Sequence, residues 1–487
     1  MKLFSRGETP SWWVSLIPFL ALTSVLVVVI KVFGADALDG ASQVSLLFAA
    51  GVAIAISMIF YRVPWKEFEE GILDNIKSVG TAILILLLIG AVAGSWMVSG
   101  VVPTMIYYGM KVIYPEIFLF AACGISALIS IMTGSSWTTI ATVGVALVGI
   151  GTAQGYDAGW TAGAIISGAY FGDKISPLSD TTVLASSSAE TPLFTHIKYM
   201  MVTTIPSFVI ALIVFLVVSI LHQSPDAVQA ADFAGDLKNT YNISPWLLLV
   251  PVFVGLLIIK KVPAILTLFI AALVAGIVAV IAQPQIIGAV ASGSAPVHGQ
   301  SLGFMDGFKG MYMSLYGPTA IDTGNEALNE LVSTGGMTGM LNTIFLIISA
   351  VTFGGALVGS GMLQSLTEKL TQFIRRRVSM VSATVGTGIF ANMITGDQYL
   401  SIILTSSLYK DLYRQKGYEP KLLSRSVEDS ATVVSVLVPW NSCGMTQSTV
   451  LGVSTLTYLP YCLFNLLSPL MSIIIAAIGY KIVKKSK

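Results

Sequence analysis

The chain has 487 residues, of which 55% are hydrophobic and only 10% charged, with a mean hydropathy of +0.82 and a net charge of +1. Soluble domains carry about 25% charged residues, so this composition excludes a soluble enzyme or nucleic-acid binder and predicts an all-α polytopic membrane protein. Three cysteines (Cys123, Cys443, Cys462) and three histidines (His196, His222, His298) are scattered without disulfide, metal or haem spacing. The absence of a glycine-rich phosphate loop argues against ATP as the energy source, and no cofactor is expected.

Apolar runs long enough for a bilayer core of about 30 Å begin at 11–30 and 43–61. The first lacks a small-residue cleavage site, so it reads as a span and not a signal peptide. A third span is expected at 77–98. The next apolar pair, 117–151, is broken at Thr133-Gly134. Arms of about 14 residues, or about 21 Å of helix, are too short to cross, which predicts a re-entrant hairpin. Two further spans follow, 160–188 and 199–222, the first interrupted by Pro177. After a linker at 224–242, spans are expected at 244–259, 264–283 and 336–364. A second hairpin at 378–413, a broken helix at 426–452 and a last span at 456–480 complete the chain. The outer segment 284–335 has no counterpart in the first half and reads as a short helical cap or a loop.

The two halves repeat. Trp13 precedes Pro18 as Trp246 precedes Pro251, and Ser99-Gly100 finds Ser360-Gly361. Thr133-Gly134 falls over Thr395-Gly396 and Pro177 over Pro439, both at an offset of 262. The repeats are therefore placed at 1–223 and 243–487. Arg375, Arg376 and Arg377 precede the second hairpin, and Lys410, Arg414 and Lys416 end it, so both of its ends belong in the cytoplasm. This threading puts 21 of the 26 Lys and Arg inside and leaves Lys31, Lys111, Lys238 and Lys309 outside, with Lys174 in the membrane. Both termini are then cytoplasmic. Five spans plus one hairpin per half is an odd number of crossings, so the second half must be inverted, a transporter design with its site at the midplane.

The stretch from Gly172 to Thr182, GDKISPLSDTT, carries charges at a depth where they are costly. Pro177 removes a backbone donor and turns Ser176 away from the helix, so a break is expected from near Gly172 to near Ser179. Freed carbonyls, hydroxyls and carboxylates suit Na⁺. Asp173, Ser176, Ser179, Asp180, Thr181 and Thr182 supply those oxygens, with Asp180 and Asp173 as the carboxylates that choose between Na⁺ and H⁺. The hairpin tip Thr133, Gly134, Ser135, Ser136 would approach from the other side. Plainer roles account for some of these groups: Ser179 or Asp180 as an N-cap, Asp173 with Lys174 as an ion pair, and Thr138 and Thr139 bonded back to their own helix. In the second half the acid moves to the tip. Thr395, Gly396, Asp397, Asn441 and Ser442 form a second polar cluster able to hold a cation or orient an organic solute. Glu428 and Asp429, at the inner start of the next-to-last span, read either as first-turn acids favoured by the helix dipole or as groups with a role in transport, and no arginine is placed near either break.

SGAYFGDKISPLSDTTVLAS (167–186) and LSRSVEDSATVVSVLVPWNSCGMTQSTVLGVSTLTYLPYCLFNLLSP (423–469) resemble the NhaC-type Na⁺/H⁺ antiporter family of the ion transporter superfamily. The resemblance implies two inverted repeats of five transmembrane helices plus one hairpin each, an elevator-like motion beside a scaffold that often forms a homodimer, and a bacterial inner membrane. It implies Na⁺ and H⁺ as cargo, with Asp173, Ser176, Pro177, Ser179, Asp180 and Thr181 at the ion site and Thr395, Gly396, Asp397, Asn441 and Ser442 lining the other half. A Na⁺- or H⁺-coupled carrier of a small carboxylate or amino acid is the alternative, since the family includes malate/lactate exchangers.

Overall fold

The computed structural model describes residues 10–33, 40–222, 227–260, 262–293, 302–319, 321, 329, 332–371 and 376–482. Its described residues fold into helices joined by short connections, with one isolated antiparallel bridge between Thr319 and Thr334. Among them, nine helices are long and apolar enough to cross a membrane, or up to eleven if each of two bent pairs counts as one span.

The helices follow the expected order. Trp12–Phe33, Ala41–Tyr61 and Trp65–Val98 come first, the last running 34 residues. The first hairpin is Phe118–Thr133 plus Ser136–Ala153, and the first broken helix is Ala158–Ile175 plus Asp180–Ser188. Leu193–Leu221, Leu249–Ile259, Ala264–Ala282 and Leu341–Gly359 lead to the second hairpin, Arg377–Thr395 plus Gln398–Gln415. The second broken helix, Pro420–Val427 continuing through a wide π turn at Glu428–Thr432, resumes as Ser442–Leu451, and Leu463–Ile478 is last.

Two expectations need correction. The hairpin arms are longer than about 14 residues: the second hairpin's are 19 and 18, or about 27 Å at 1.5 Å per residue. Three of the four arms count among the nine helices able to cross a membrane, so arm length does not make the hairpins re-entrant. The apolar stretch undercounts an arm because each one continues through small and hydroxyl residues next to the tip. The first broken helix also stays helical to Ile175, past Gly172, because the clash of Pro177 acts on Ser176 and not further back. The outer segment does contain helix, Pro284–Ser292 and Phe304–Tyr316; 294–301 and most of 320–331 lie outside the described residues.

Glycines set how closely two of the long helices approach. A Cβ on Gly355 would stand 2.6 Å from the Ile72 Cα, and one on Gly359 2.6 Å from the Glu67 carbonyl oxygen. Trp65–Val98 and Leu341–Gly359 thus meet backbone to backbone, the contact small residues permit between membrane helices. At one end of the molecule, Glu190, in a left-handed conformation (φ 54°), accepts from both Lys410 and Arg414. That contact ties the end of the first broken helix to the outgoing arm of the second hairpin. Replacing Gly355 with Leu forces those helices apart. It is expected to cost about 1–3 kcal/mol, read as a lower unfolding temperature of the purified protein.

Candidate functional site

Each hairpin tip rests on the broken helix of its own half. Gly134 ends the first arm in a left-handed turn (φ 67°), and a Cβ there would sit 2.7 Å from the Leu178 backbone. In the second half Gly396 turns the same way (φ 66°), and its carbonyl accepts from the Ser442 N–H at 2.7 Å. The small devices recur at the offset of 262. Ser135 caps the arm after the first tip by accepting from the Thr138 N–H, as Asp397 accepts from the Leu400 N–H. Ser179 caps the resumed first helix, as Asn441 caps the second. Of the two N-cap readings at the first break, Ser179 is therefore the capping residue.

The two halves use their acids differently. Asp173, on the first broken helix, accepts from the Ser136 N–H (3.0 Å) and hydroxyl (2.7 Å) of the hairpin, both on Oδ2. Asp397, on the second hairpin, accepts from Leu400 N–H on Oδ1 (3.0 Å) and from the Ser442 hydroxyl on Oδ2 (3.1 Å). Around it Thr395 donates to the Asp397 carbonyl, and Asn441 reaches the Asn392 carbonyl.

Beside the first break lies a cavity of about 570 Å³. Thr133, Gly134 and Ser135 of the tip, Asp173, and Ser179, Asp180 and Thr181 of the resumed helix line it. So do Thr81, Ala82 and Ile85 of the long helix Trp65–Val98, with Ile258, Val262, Pro263, Ala264 and Thr267 around the turn between two further helices. Asp173 is buried to 7% exposure and Asp180 is exposed. The freed backbone is partly satisfied from within: the Thr182 hydroxyl donates to the Lys174 carbonyl at 3.0 Å. Ser176 instead fastens the break to the hairpin, its hydroxyl donating to the Ile131 carbonyl at 2.8 Å. Thr139 bonds back to the Ser135 carbonyl at 2.9 Å, while the Thr138 hydroxyl meets Ser135 Oγ. From the second hairpin the cavity takes Gln398 and Tyr399, next to the Asp397 cluster.

The expected Asp173–Lys174 pair does not form. Neighbouring residues on a helix point about 100° apart, and Lys174 reaches the other half, where its Nζ contacts Asp429 and donates to Ser468 at 2.8 Å. Asp429 Oδ1 also accepts from Thr203 at 3.1 Å. Glu428 and Asp429 are correspondingly not first-turn acids: the helix starts at Pro420, and the π turn carries both of them into the interior, fully buried. An arginine does stand close by. Arg425, fully buried, has its Nε 3.9 Å from Asp429 Oδ2 and its guanidinium 4.7 Å from the Tyr199 ring centre. Glu428 faces the first break through Thr181, whose hydroxyl lies 3.4 Å from Oε1. One signal was present in the sequence: Arg425, Glu428 and Asp429 at i, i+3 and i+4 share a helix face, the usual sign of a surface ion pair. Its burial depends on the tertiary fold.

The chain matches the Na⁺/H⁺ antiporter family over residues 9–189 and again over 168–480. It is 36% identical over 433 residues to the Na⁺/H⁺ antiporter NhaC of Bacillus subtilis (strain 168), covering 88% of this chain and 91% of that one. The antiporter NhaC of Alkalihalophilus pseudofirmus is 36% identical over 437 residues, covering 89% and 90%. The malate-2H⁺/Na⁺-lactate antiporter of B. subtilis is 36% identical over 400 residues, covering 82% and 81%.

Truncating one partner of the buried pair leaves the other uncompensated. Asp429→Asn is expected to cost about 3–5 kcal/mol, measured by chemical or thermal unfolding in detergent. The double variant Lys174→Met/Asp429→Leu is expected to recover only part of it, because Arg425, buried 3.9 Å from Asp429, is then left without its anion.

Proposed function

Since the chain belongs to the Na⁺/H⁺ antiporter family, we propose that it exchanges Na⁺ for H⁺ at the cavity beside the first break, with Asp173 and Asp180 as the carboxylates both ions compete for. The observation that carries this reading is the state of Asp173. It lines the cavity, is almost fully buried, and the lysine next to it is committed to Asp429. An ionised carboxylate in such a place needs a counter-charge or a proton. With its own lysine withdrawn, the counter-charge comes from the cavity as Na⁺, and H⁺ neutralises it otherwise. If the loaded element moves only when one of the two is bound, exchange is obligate. Hydroxyls of Thr133, Ser135, Ser179 and Thr181 would complete the oxygen set around Na⁺.

The repeated caps and tips support two structural repeats meeting at this site, the second inverted. Charge placement supports cytoplasmic termini, and the turn around Val262 to Ala264, which follows Lys260, then lies on the cytoplasmic side. That turn lines the cavity, so on this threading the cavity would open to the inside. Each hairpin with its broken helix would be the moving part, and the glycine-packed spans the scaffold.

The malate/lactate relative raises an organic anion as a second cargo. Among the described residues that line the cavity the charged ones are both aspartates, which works against that reading.

In vesicles containing the purified protein, a Na⁺ pulse is expected to dissipate an imposed pH gradient, and Asp173→Asn or Asp180→Asn to reduce the response to that of protein-free vesicles. As pH rises fewer protons compete, so the apparent KM for Na⁺ is expected to fall. A KM independent of pH would refute a shared site.

A further inference from the structure

The cavity is much larger than sodium requires. A dehydrated Na⁺ held by direct oxygen ligands occupies a small part of about 570 Å³, and that volume lies within the ~300–1,000 Å³ of sites for small organic ligands. Aliphatic side chains share its lining with the hydroxyls: Ile85, Leu184, Ile258 and Val262 are among them. The charged residues on the lining are Asp173 and Asp180, with no basic residue among those described. Lys174, which could have offset them, is turned away to Asp429 and Ser468.

We propose that this cavity also takes a small organic cation, a primary alkylammonium with a short chain, in competition with Na⁺. This rests on the antiport reading of the same site. An ammonium head offers three donors to the carboxylates and to the hydroxyls of Ser135, Ser179 and Thr181, and charge-assisted bonds of this kind are about twice as strong as neutral ones. A chain of four carbons covers the aliphatic wall and is removed from water there. Na⁺ can do the first of these and not the second. An organic carboxylate fits the aliphatic lining equally well but meets two acids, whose charge repels it. Charge selects the class, and the wall adds a preference for a chain over a bare ammonium ion.

The test uses the purified full chain in detergent with KCl as background salt, where a weak base cannot collapse a proton gradient. n-Butylammonium is expected to raise the unfolding temperature saturably, because a ligand of the folded state stabilises by mass action. Butyrate and 1-butanol, matched in shape, are expected to have no such effect, and methylammonium a weaker one. Added Na⁺ should move the butylammonium midpoint to higher concentration, and Asp180→Asn should abolish the shift. Equal stabilisation by butyrate, or a butylammonium effect that Na⁺ does not alter, overturns the proposal, as does no effect at all. Na⁺-driven proton movement in vesicles, measured on the same preparation, separates the two failures. Normal exchange with no butylammonium binding sinks this inference alone, and absent exchange sinks the antiport reading beneath it.

Discussion

The structure depends on where Lys174 points. A buried ion costs several kcal/mol to desolvate, so a lysine at the end of an intramembrane half-helix must find an anion. Asp173 is next in sequence but faces elsewhere on the helix. Asp429 comes instead from the other half of the chain, delivered by the π turn at 428–432. Ser468 and Thr203 supply the remaining hydrogen bonds from two more helices. One contact therefore joins four helices, fixes the first broken helix against the second, and withholds the local cation from Asp173. A π turn inserts one extra residue and rotates what precedes it, and such turns cluster at functional sites for that reason.

Around this contact the two hairpins do the same job from their own halves. A glycine in the left-handed conformation lets each tip turn tightly and bring its backbone against a break, where side chains would clash. The broken helices in turn leave backbone groups that need partners. Thr182 covers a carbonyl of the first break, and the Gly396 carbonyl takes the Ser442 N–H of the second. Irregular backbone is tolerated inside a membrane protein only under such conditions, so tip and break require one another.

Much of this arrangement could be read from residues. Apolar run lengths indicate the long helices, and Thr-Gly and Pro at a common offset mark both tips and both breaks. Ser179, Asp180 and Thr181, which line the cavity, stand out because hydroxyls and an acid are conspicuous in an apolar run. Local signals could not show partners distant in sequence. Lys174 and Asp429 are 255 residues apart, and nothing near either one indicates the other. Arg425, Glu428 and Asp429 looked like polar residues at a cytoplasmic helix start, since burial of such a start depends on the hairpin and Leu193–Leu221 packing over it. Arm lengths were underestimated for a related reason: an arm that packs against protein can carry hydroxyls that a lipid-facing helix would exclude.

The asymmetry between the halves bears on which acid can carry cargo. At the first tip the capping oxygen is the hydroxyl of Ser135; at the second it is the carboxylate of Asp397. Asp397 spends one oxygen on the helix N-terminus and the other on Ser442, and its negative charge is favourably placed there by the helix dipole. A proton or cation arriving at Asp397 would have to displace bonds that hold the tip together. Asp173 takes both Ser136 bonds on one oxygen and also interacts with the Ser179 hydroxyl, while the cap of the first tip does not depend on it. Moving the acid from tip to helix thus separates the structural task from the one that needs a carboxylate able to change partners. Asp180, exposed, and Asp173, almost fully buried, both line the cavity of the first half. In the second half the acid at the tip is tied into the tip's own bonds, while Glu428 and Asp429 of its broken helix meet Thr181 and Lys174 of the first.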